Sequence, residues 1–156
     1  MEKIEKSIEV NVPVSTAYNQ WTQFEEFPRF MEGVKEVRQL DEKHLHWRAE
    51  IMGKDVEWDA KITEQLPDRQ IAWESTSGAP NRGTVSFKSS TADPNKTVVT
   101  VGLEYEPRGA TEKMGDIFGA LSSRVEGDLE RFKRFIEQRG TETGAWRGTI
   151  KGGEVT

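Results

Sequence analysis

The most constraining pattern in this chain is a long amphipathic helix near the C-terminal end, preceded by a series of strand-like runs. Its apolar residues recur at steps of three and four: Met114, Phe118, Leu121, Val125, Leu129, Phe132 and then Phe135 or Ile136. This spacing places them on one face of the helix. A face of that length must be buried, and the only partner large enough is a sheet built from the preceding strands. We therefore predict an α+β fold in which a curved antiparallel sheet wraps around one helix.

Alternation of apolar and polar residues predicts about seven strands in that sheet. The first strand spans residues 4–12, and two short helices follow it, within residues 14–21 and 24–31. Six more strands are predicted, near residues 34–40, 45–51, 56–62, 71–75, 85–87 and 99–105. One face of each strand is apolar, as in the alternate residues Leu45, Trp47, Ala49 and Ile51. The sheet should therefore have one dry face, which the long helix covers.

The length and composition indicate one domain. With 156 residues the chain can bury a core without disulfides or metals. We assign residues 1–140 to the domain and residues 141–156 to a Gly-rich C-terminal tail, because the tail lacks periodicity. Trp146 within this tail is large enough to dock locally.

Several classes of function are disfavoured by composition. The chain contains no cysteine, which excludes disulfides and thiolate chemistry. Its formal net charge of −5 argues against nucleic acid as a partner. No signal peptide and no run of about 18 apolar residues is present, so we expect a cytoplasmic protein without an integral membrane segment. We expect a monomer or a weak homodimer.

Several local motifs resemble one protein superfamily. They are Val10-Asn11-Val12-Pro13 running on to Trp21, then Phe24 to Met31, Trp58-Asp59-Ala60-Lys61-Ile62, and Gly127 to Lys133. Together with the order of elements, they resemble the START-like, helix-grip (SRPBCC) superfamily, and its bacterial polyketide cyclase/dehydrase and coenzyme Q-binding START branch in particular. The resemblance covers Met1 to about Arg139. It implies a ligand cavity between sheet and helix, whereas the reaction, if any, is left open because one scaffold hosts many functions.

The sequence contains few residues in patterns suited to catalysis. His44 and His46 are the only histidines, and they alternate with the apolar face of their strand, so we expect both to face solvent rather than hold a metal. Glu57, Asp59 and Glu74 should lie on the same outer face. The i,i+4 pairs of the long helix, Arg124 with Asp128 and Glu130 with Arg134, are predicted on its exposed side. We therefore predict no catalytic residue, no metal and no cofactor.

The interior between sheet and helix is either a filled core or a hollow pocket. We favour the pocket, chiefly because of the family resemblance. Its predicted lining is Trp47, Trp58, Trp73, Ser75, Phe87, Val101, Leu103, Tyr105, Met114, Phe118, Leu121 and Val125. The indole N–H groups, the Tyr105 hydroxyl and Ser75 would orient a ligand. The predicted entrance comprises Phe27, Phe30, Met31, Gly78, Gly83, Gly115 and Gly119.

The resemblance and the apolar interior lead to one preferred function and two alternatives. The preferred function is binding, as carrier or sequestering protein, of a hydrophobic small molecule such as a lipid, an isoprenoid quinone or a polyketide. The first alternative is a polyketide cyclase, aromatase or dehydratase that works without metal or cofactor. The second is a protein-interaction module similar to the ribosome-association toxins of the superfamily, which the acidic composition disfavours.

Overall fold

The computed structural model describes residues 2–78, 80–105 and 114–156, with the backbone alone described for residues 2 and 114–118. Two α-helices and one short 3₁₀ helix are present: α1 (Val14–Trp21), the 3₁₀ helix (Phe24–Arg29) and α2 (Met114–Arg139). Nine strands complete the described fold: β1 (Glu2–Val10), β2 (Val34–Gln39), β3 (His44–Ile51), β4 (Lys54–Leu66), β5 (Gln70–Gly78), β6 (Asn81–Ser89), β7 (Thr97–Tyr105), β8 (Ile150–Lys151) and β9 (Glu154–Val155).

The strands form one curved antiparallel sheet. The order across it is β1-β7-β6-β5-β4-β3-β2, and every neighbouring pair is antiparallel. The two short strands β8 and β9 extend the sheet beside β4. The predicted α+β helix-grip fold is confirmed, with two short helices after the first strand and a long helix after the seventh.

The core lies under the second half of α2. Leu129, Phe132 and Ile136 of this helix are at most 2% exposed. They meet an aromatic cluster from α1 and the 3₁₀ helix, in which Trp21 packs edge-on against Phe132 with ring centroids 4.7 Å apart. The apolar stripe of the helix therefore has its predicted partner, and aromatic rings supply much of the buried area.

One polar row of α2 fastens the helix to the β1 edge of the sheet. Lys133 donates a hydrogen bond to the carbonyl oxygen of Glu9 at 3.0 Å, and the backbone N–H of Asn11 donates to Glu137 at 2.8 Å. A second row, on the opposite flank, fastens the helix to the region around β2. There Arg131 donates to the carbonyl oxygen of Phe30 at 3.0 Å. The helix is thus tied near both edges of the open sheet.

The C-terminal residues 141–156 are packed against the domain rather than extending from it as a tail. Ile150 is fully buried and pairs with Gln65 of β4. The side chain of Gln20 accepts a hydrogen bond from the Thr143 N–H at 2.8 Å, and Arg147 forms an ion pair with Asp68 at 2.9 Å. Periodicity could not indicate this packing, because the segment is anchored by a few specific side chains and not by a repeating apolar face.

Candidate functional site: a cavity between sheet and helix

A cavity of about 600 Å³ lies between the concave face of the sheet and the first half of α2. This volume is in the range of sites that hold small molecules. Its walls are mostly apolar and come from β3 to β7, from the 3₁₀ helix and from α2. The interior is therefore hollow at this end and filled at the other, where Phe132 and Ile136 are completely buried.

The structure brings together eight of the residues that we predicted to line the cavity: Trp47, Trp58, Trp73, Val101, Leu103, Tyr105, Leu121 and Val125. Two others lie elsewhere. Phe87 packs edge-on against Tyr18 at a centroid distance of 5.4 Å, in the filled core. The hydroxyl of Ser75 accepts a hydrogen bond from the Asn81 N–H at 3.0 Å and so closes the β5–β6 hairpin. The side chains of Met114 and Phe118 lie outside the described residues.

Two tryptophans form the most distinctive part of the wall. Trp47 and Trp58 lie opposite each other on β3 and β4, and their rings stack at 5.5 Å with an interplanar angle of 10°. The ring nitrogens of both are buried and have no hydrogen-bond partner among the described residues. A buried indole N–H normally finds an acceptor, so these two donors are left unsatisfied within the wall itself.

Gly83 gives Trp73 the room that it occupies on the wall. A Cβ atom at Gly83 would lie only 2.6 Å from Cη2 of Trp73. The indole therefore lies against the backbone of β6, and its ring nitrogen donates to the side-chain oxygen of Asn81 at 3.3 Å. Gly83, predicted at the entrance, instead allows a large ring to lie close to the sheet without filling the cavity.

The most exposed part of the lining lies at the β3–β4 turn, which the sequence analysis did not assign to the entrance. Met52 and Gly53 form this two-residue turn, and both have positive φ angles, 52° and 80°. Such a turn is the tight type that joins antiparallel strands. Met52 is 48% exposed although it is apolar and lines the cavity. We define the mouth of the cavity as Glu32, Met52, Lys54, Asp55 and Arg124, all of which line it.

The predicted entrance residues have mixed positions. Phe27 and Met31 line the cavity, as expected of a rim beside the 3₁₀ helix. Phe30 does not, because its ring packs against Phe132 of the filled core, with ring centroids 5.2 Å apart.

The predicted glycines also differ among themselves. Gly78 adopts a φ angle of 82° and lies against the backbone of β4, where a Cβ atom would approach Trp58 at 2.9 Å. Gly119 is exposed, and a Cβ atom added there would meet nothing within 4 Å. Close packing therefore does not explain Gly119. The environment of Gly115 lies outside the described residues.

Arg124 and Asp128 do not lie on the exposed side of α2, where we had predicted them. Both line the cavity. The side chain of Asp128 is only 15% exposed, and its Oδ1 atom accepts hydrogen bonds from Arg131 at 2.5 Å and from the Glu32 N–H at 3.1 Å. Burial raises the pKa of Asp128 to about 6, although Arg131 and the Glu32 N–H favour the charged form. This carboxyl group can hold or release a proton near neutral pH.

The outer face of the sheet carries a separate polar cluster. His46 lies between Asp59, at 2.6 Å from Nδ1, and Glu57, at 3.1 Å from Nε2. Asp59 also accepts a hydrogen bond from Ser77 at 3.0 Å. Hydrogen bonds to Asp59 and Glu57 raise the pKa of His46 above its ordinary value. These residues connect three neighbouring strands, which is a structural role on the face opposite the cavity.

Two further features of the described residues bear on function. They contain no cluster of three or more side chains suited to bind a metal ion. Within the same part of the chain, no helix combines the length and apolar character needed to cross a bilayer.

A known protein family matches most of this chain. Residues 10–134 match the family described as polyketide cyclase / dehydrase and lipid transport. A curated relative from Streptomyces lincolnensis is 49% identical over 151 residues, which cover 96% of this chain and 99% of the relative. It is described as an uncharacterized 17.2 kDa protein in the melC2-rnhH intergenic region.

Two solved structures illustrate the shared fold. A START superfamily protein from Mycobacterium smegmatis has a TM-score of 0.69 and 18% identity, with coverage of 88% of this chain and 95% of that one. The Zhui aromatase/cyclase from Streptomyces sp. R1128 has a TM-score of 0.77 and 15% identity, with coverage of 93% and 99%. Since the family match spans most of the sequence, the chain belongs to the polyketide cyclase/dehydrase and lipid transport family of START-like, helix-grip proteins.

Proposed function

We propose that this protein binds one hydrophobic small molecule in the cavity between sheet and helix, as a carrier or sequestering protein. The observation that supports this most directly is the cavity of about 600 Å³ with mostly apolar walls. Packed domains rarely leave such a volume empty, because unfilled apolar space costs stability. The cost is offset when a ligand occupies the space.

The wall indicates the kind of ligand. The stacked pair of Trp47 and Trp58 offers flat aromatic surface, and its two ring nitrogens are donors without described partners. A ligand with rings or conjugated double bonds would stack on this surface. Isoprenoid quinones and polyketides are ligands of this class, and a simple alkane is not.

The first test is binding of N-phenyl-1-naphthylamine, a neutral aromatic probe that fluoresces in apolar surroundings. We expect one probe per chain and quenching of tryptophan emission on binding. Native mass spectrometry of the purified protein, with extraction of any retained molecule, would identify the natural ligand class. A chain that takes up no probe and retains no molecule would refute the proposal.

A pair of matched variants locates the bound probe. Leu121 lines the cavity, so Leu121→Trp should fill part of it and weaken probe binding by about tenfold or more. Leu40 is 56% exposed, and Leu40→Trp adds the same side chain at the surface without affecting binding. Equal probe affinity in the two variants would place the probe outside the cavity.

A second candidate function, a polyketide cyclase or dehydratase, is favoured by one specific group. Asp128 is a carboxyl group on the cavity wall whose pKa is raised to about 6. A group with a pKa near the working pH can accept a proton from a methylene carbon between carbonyls and return it to a hydroxyl that leaves as water.

This alternative is tested with a soluble poly-β-ketothioester mimic and analysis of the products by mass spectrometry. Cyclised, dehydrated product from the wild-type chain, with loss of product but retained probe binding in Asp128→Asn, would establish it. If the wild-type chain leaves the mimic unchanged, the carrier function is favoured.

A further inference from the structure

Among the described residues, the acidic side chains that line the cavity form ion pairs, and the basic ones do not. Three carboxylates line it, and each has a cationic partner behind the wall. Asp55 pairs with Lys35 at 2.8 Å. Glu32 and Asp128 both pair with Arg131, at 3.3 Å and 2.5 Å. The negative charges of the lining are therefore largely compensated within the protein.

The two cations that line the cavity are in a different situation. Arg124 and Lys54 form no direct ion pair with any carboxylate among the described residues, and Arg124 acts on Asp128 only through its charge at longer range. The chain as a whole carries a net charge of −5. The one described hydrogen bond of Arg124 runs from Nη1 to the carbonyl oxygen of Glu50 at 2.7 Å. A guanidinium group has five N–H donors, so most of its hydrogen-bonding capacity is available at the mouth.

The backbone at Gly33 leaves room for the side chain of Arg124. Gly33 adopts a φ angle of 87°, and a Cβ atom there would lie 2.8 Å from Cζ of Arg124 and 2.9 Å from the carbonyl oxygen of Glu50. Only glycine leaves space for the guanidinium group to lie over this backbone and reach its acceptor.

We propose that Arg124, assisted by Lys54, binds an anionic oxygen group of the ligand, so that the protein selects hydrophobic acids over neutral molecules of the same shape. This inference rests on the proposed binding function and adds the chemical class of the ligand. Arginine pairs well with carboxylate, phenolate or sulfonate oxygens because its N–H donors form a planar fork.

The length of the cavity along β4 indicates where the apolar body of such a ligand would lie. Lys54, Val56 and Trp58 are alternate residues of β4, and all three line the cavity. From Lys54 to Trp58 the strand advances roughly 13 Å at about 3.3 Å per residue. A ligand with its acidic group at the mouth and a body of about that length would reach the stacked tryptophans.

Two probes of nearly identical shape test the inference. 8-Anilinonaphthalene-1-sulfonate carries a sulfonate group, and N-phenyl-1-naphthylamine is the same ring system without it. Arg124→Gln should weaken binding of the sulfonate probe by about tenfold and change the affinity of the neutral probe by less than about twofold. Arg134→Gln removes a charge from the exposed side of the same helix and should alter neither affinity.

The outcomes separate this inference from the proposed function. If the wild-type chain binds neither probe, the binding function itself fails. If it binds both and Arg124→Gln changes the two affinities equally, the selection of acids by Arg124 is refuted. Should Arg124→Gln fail to fold, the wild-type chain decides: rising salt should weaken the sulfonate probe alone, and an equal response of both probes would overturn the inference.

Discussion

At the scale of single residues, Asp128 shows how position alters the chemistry of a common side chain. It lies on the flank of α2 that faces Glu32, and its side chain is 15% exposed. Removal from water disfavours the carboxylate form more than Arg131 and the Glu32 N–H favour it, so the pKa rises from 3.8 to about 6. Between these two values the folded state holds a proton that the unfolded chain releases.

This shift predicts a pH dependence of stability. As pH rises from about 4 to about 6, the contribution of Asp128 to the free energy of unfolding should fall, by an amount on the order of 3 kcal/mol, and then stay constant. Asp128→Asn should remove this change, so the difference between wild-type and variant varies with pH in that window. Urea unfolding at several pH values measures it, with Glu130→Gln as the control for loss of a carboxylate on the same helix. A difference independent of pH would contradict the raised pKa.

At the scale of secondary-structure elements, α2 performs two tasks along one continuous apolar face. Its first described turns, with Leu121 and Val125, line the cavity. Its later turns, with Phe132 and Ile136, are fully buried. The face is uniform in composition, and the difference arises from what lies opposite: open space at one end and the aromatic cluster at the other.

The two halves of α2 should therefore respond differently to truncation of apolar side chains. Ile136→Ala removes atoms from a packed site and should lower the free energy of unfolding by about 2–5 kcal/mol. Leu121→Ala enlarges an existing cavity and should cost less than about 1.5 kcal/mol, with the neutral probe still bound. Chemical denaturation of both variants measures the costs. Equal losses would mean that the first half of the helix is packed as tightly as the second.

The pattern of α2 also shows where prediction from sequence succeeded and where it failed. The stripe of residues at steps of three and four predicts that Leu121 and Val125 face the sheet, and both line the cavity. Arg124 and Asp128 were wrongly placed in solvent, because a helical wheel separates apolar from polar positions and does not show what lies beyond the flank. Only the folded chain brings the Glu32–Gly33 backbone across to meet them.

At the scale of the whole molecule, the packed domain includes residues 141–156, which the sequence predicted to be a C-terminal tail. Ile150 is fully buried beside β4, and Trp146 donates its backbone N–H to the hydroxyl of Thr22 at 3.1 Å. The segment after α2 thus returns beneath α1 and adds to the same hydrophobic core. The predicted boundary at residue 140 does not mark the end of the packed structure.

Removal of residues 141–156 should therefore destabilise the domain. We expect the free energy of unfolding to fall by about 3 kcal/mol or more, because loss of one fully buried isoleucine side chain alone costs about 2–5 kcal/mol. Thermal and urea unfolding of the shortened chain measure the loss. Val155→Ala, at a position that is 39% exposed, is the matched control within the segment and should change stability by less than about 0.5 kcal/mol. A shortened chain as stable as the full one would support the original division.

The fold as a whole was predictable because alternation and helical spacing are properties of long runs. Alternation along each strand was enough to predict that Leu45, Trp47, Ile62 and Trp73 lie on the apolar face of the sheet, and all four line the cavity. The mouth was not predictable, since its position depends on a two-residue turn at Met52 and Gly53 and on long-range approach of α2. Such features involve single residues whose neighbours in space are distant in sequence.

The stacked indoles of Trp47 and Trp58 have an optical consequence. Two parallel chromophores 5.5 Å apart share their excited states, and a twist between their transition moments produces paired circular-dichroism bands of opposite sign. The intensity of this couplet depends steeply on ring separation and orientation. Any molecule that enters between or against the rings alters it directly. We therefore expect the near-ultraviolet circular dichroism of the protein to change when a ligand enters the cavity, without label or added dye.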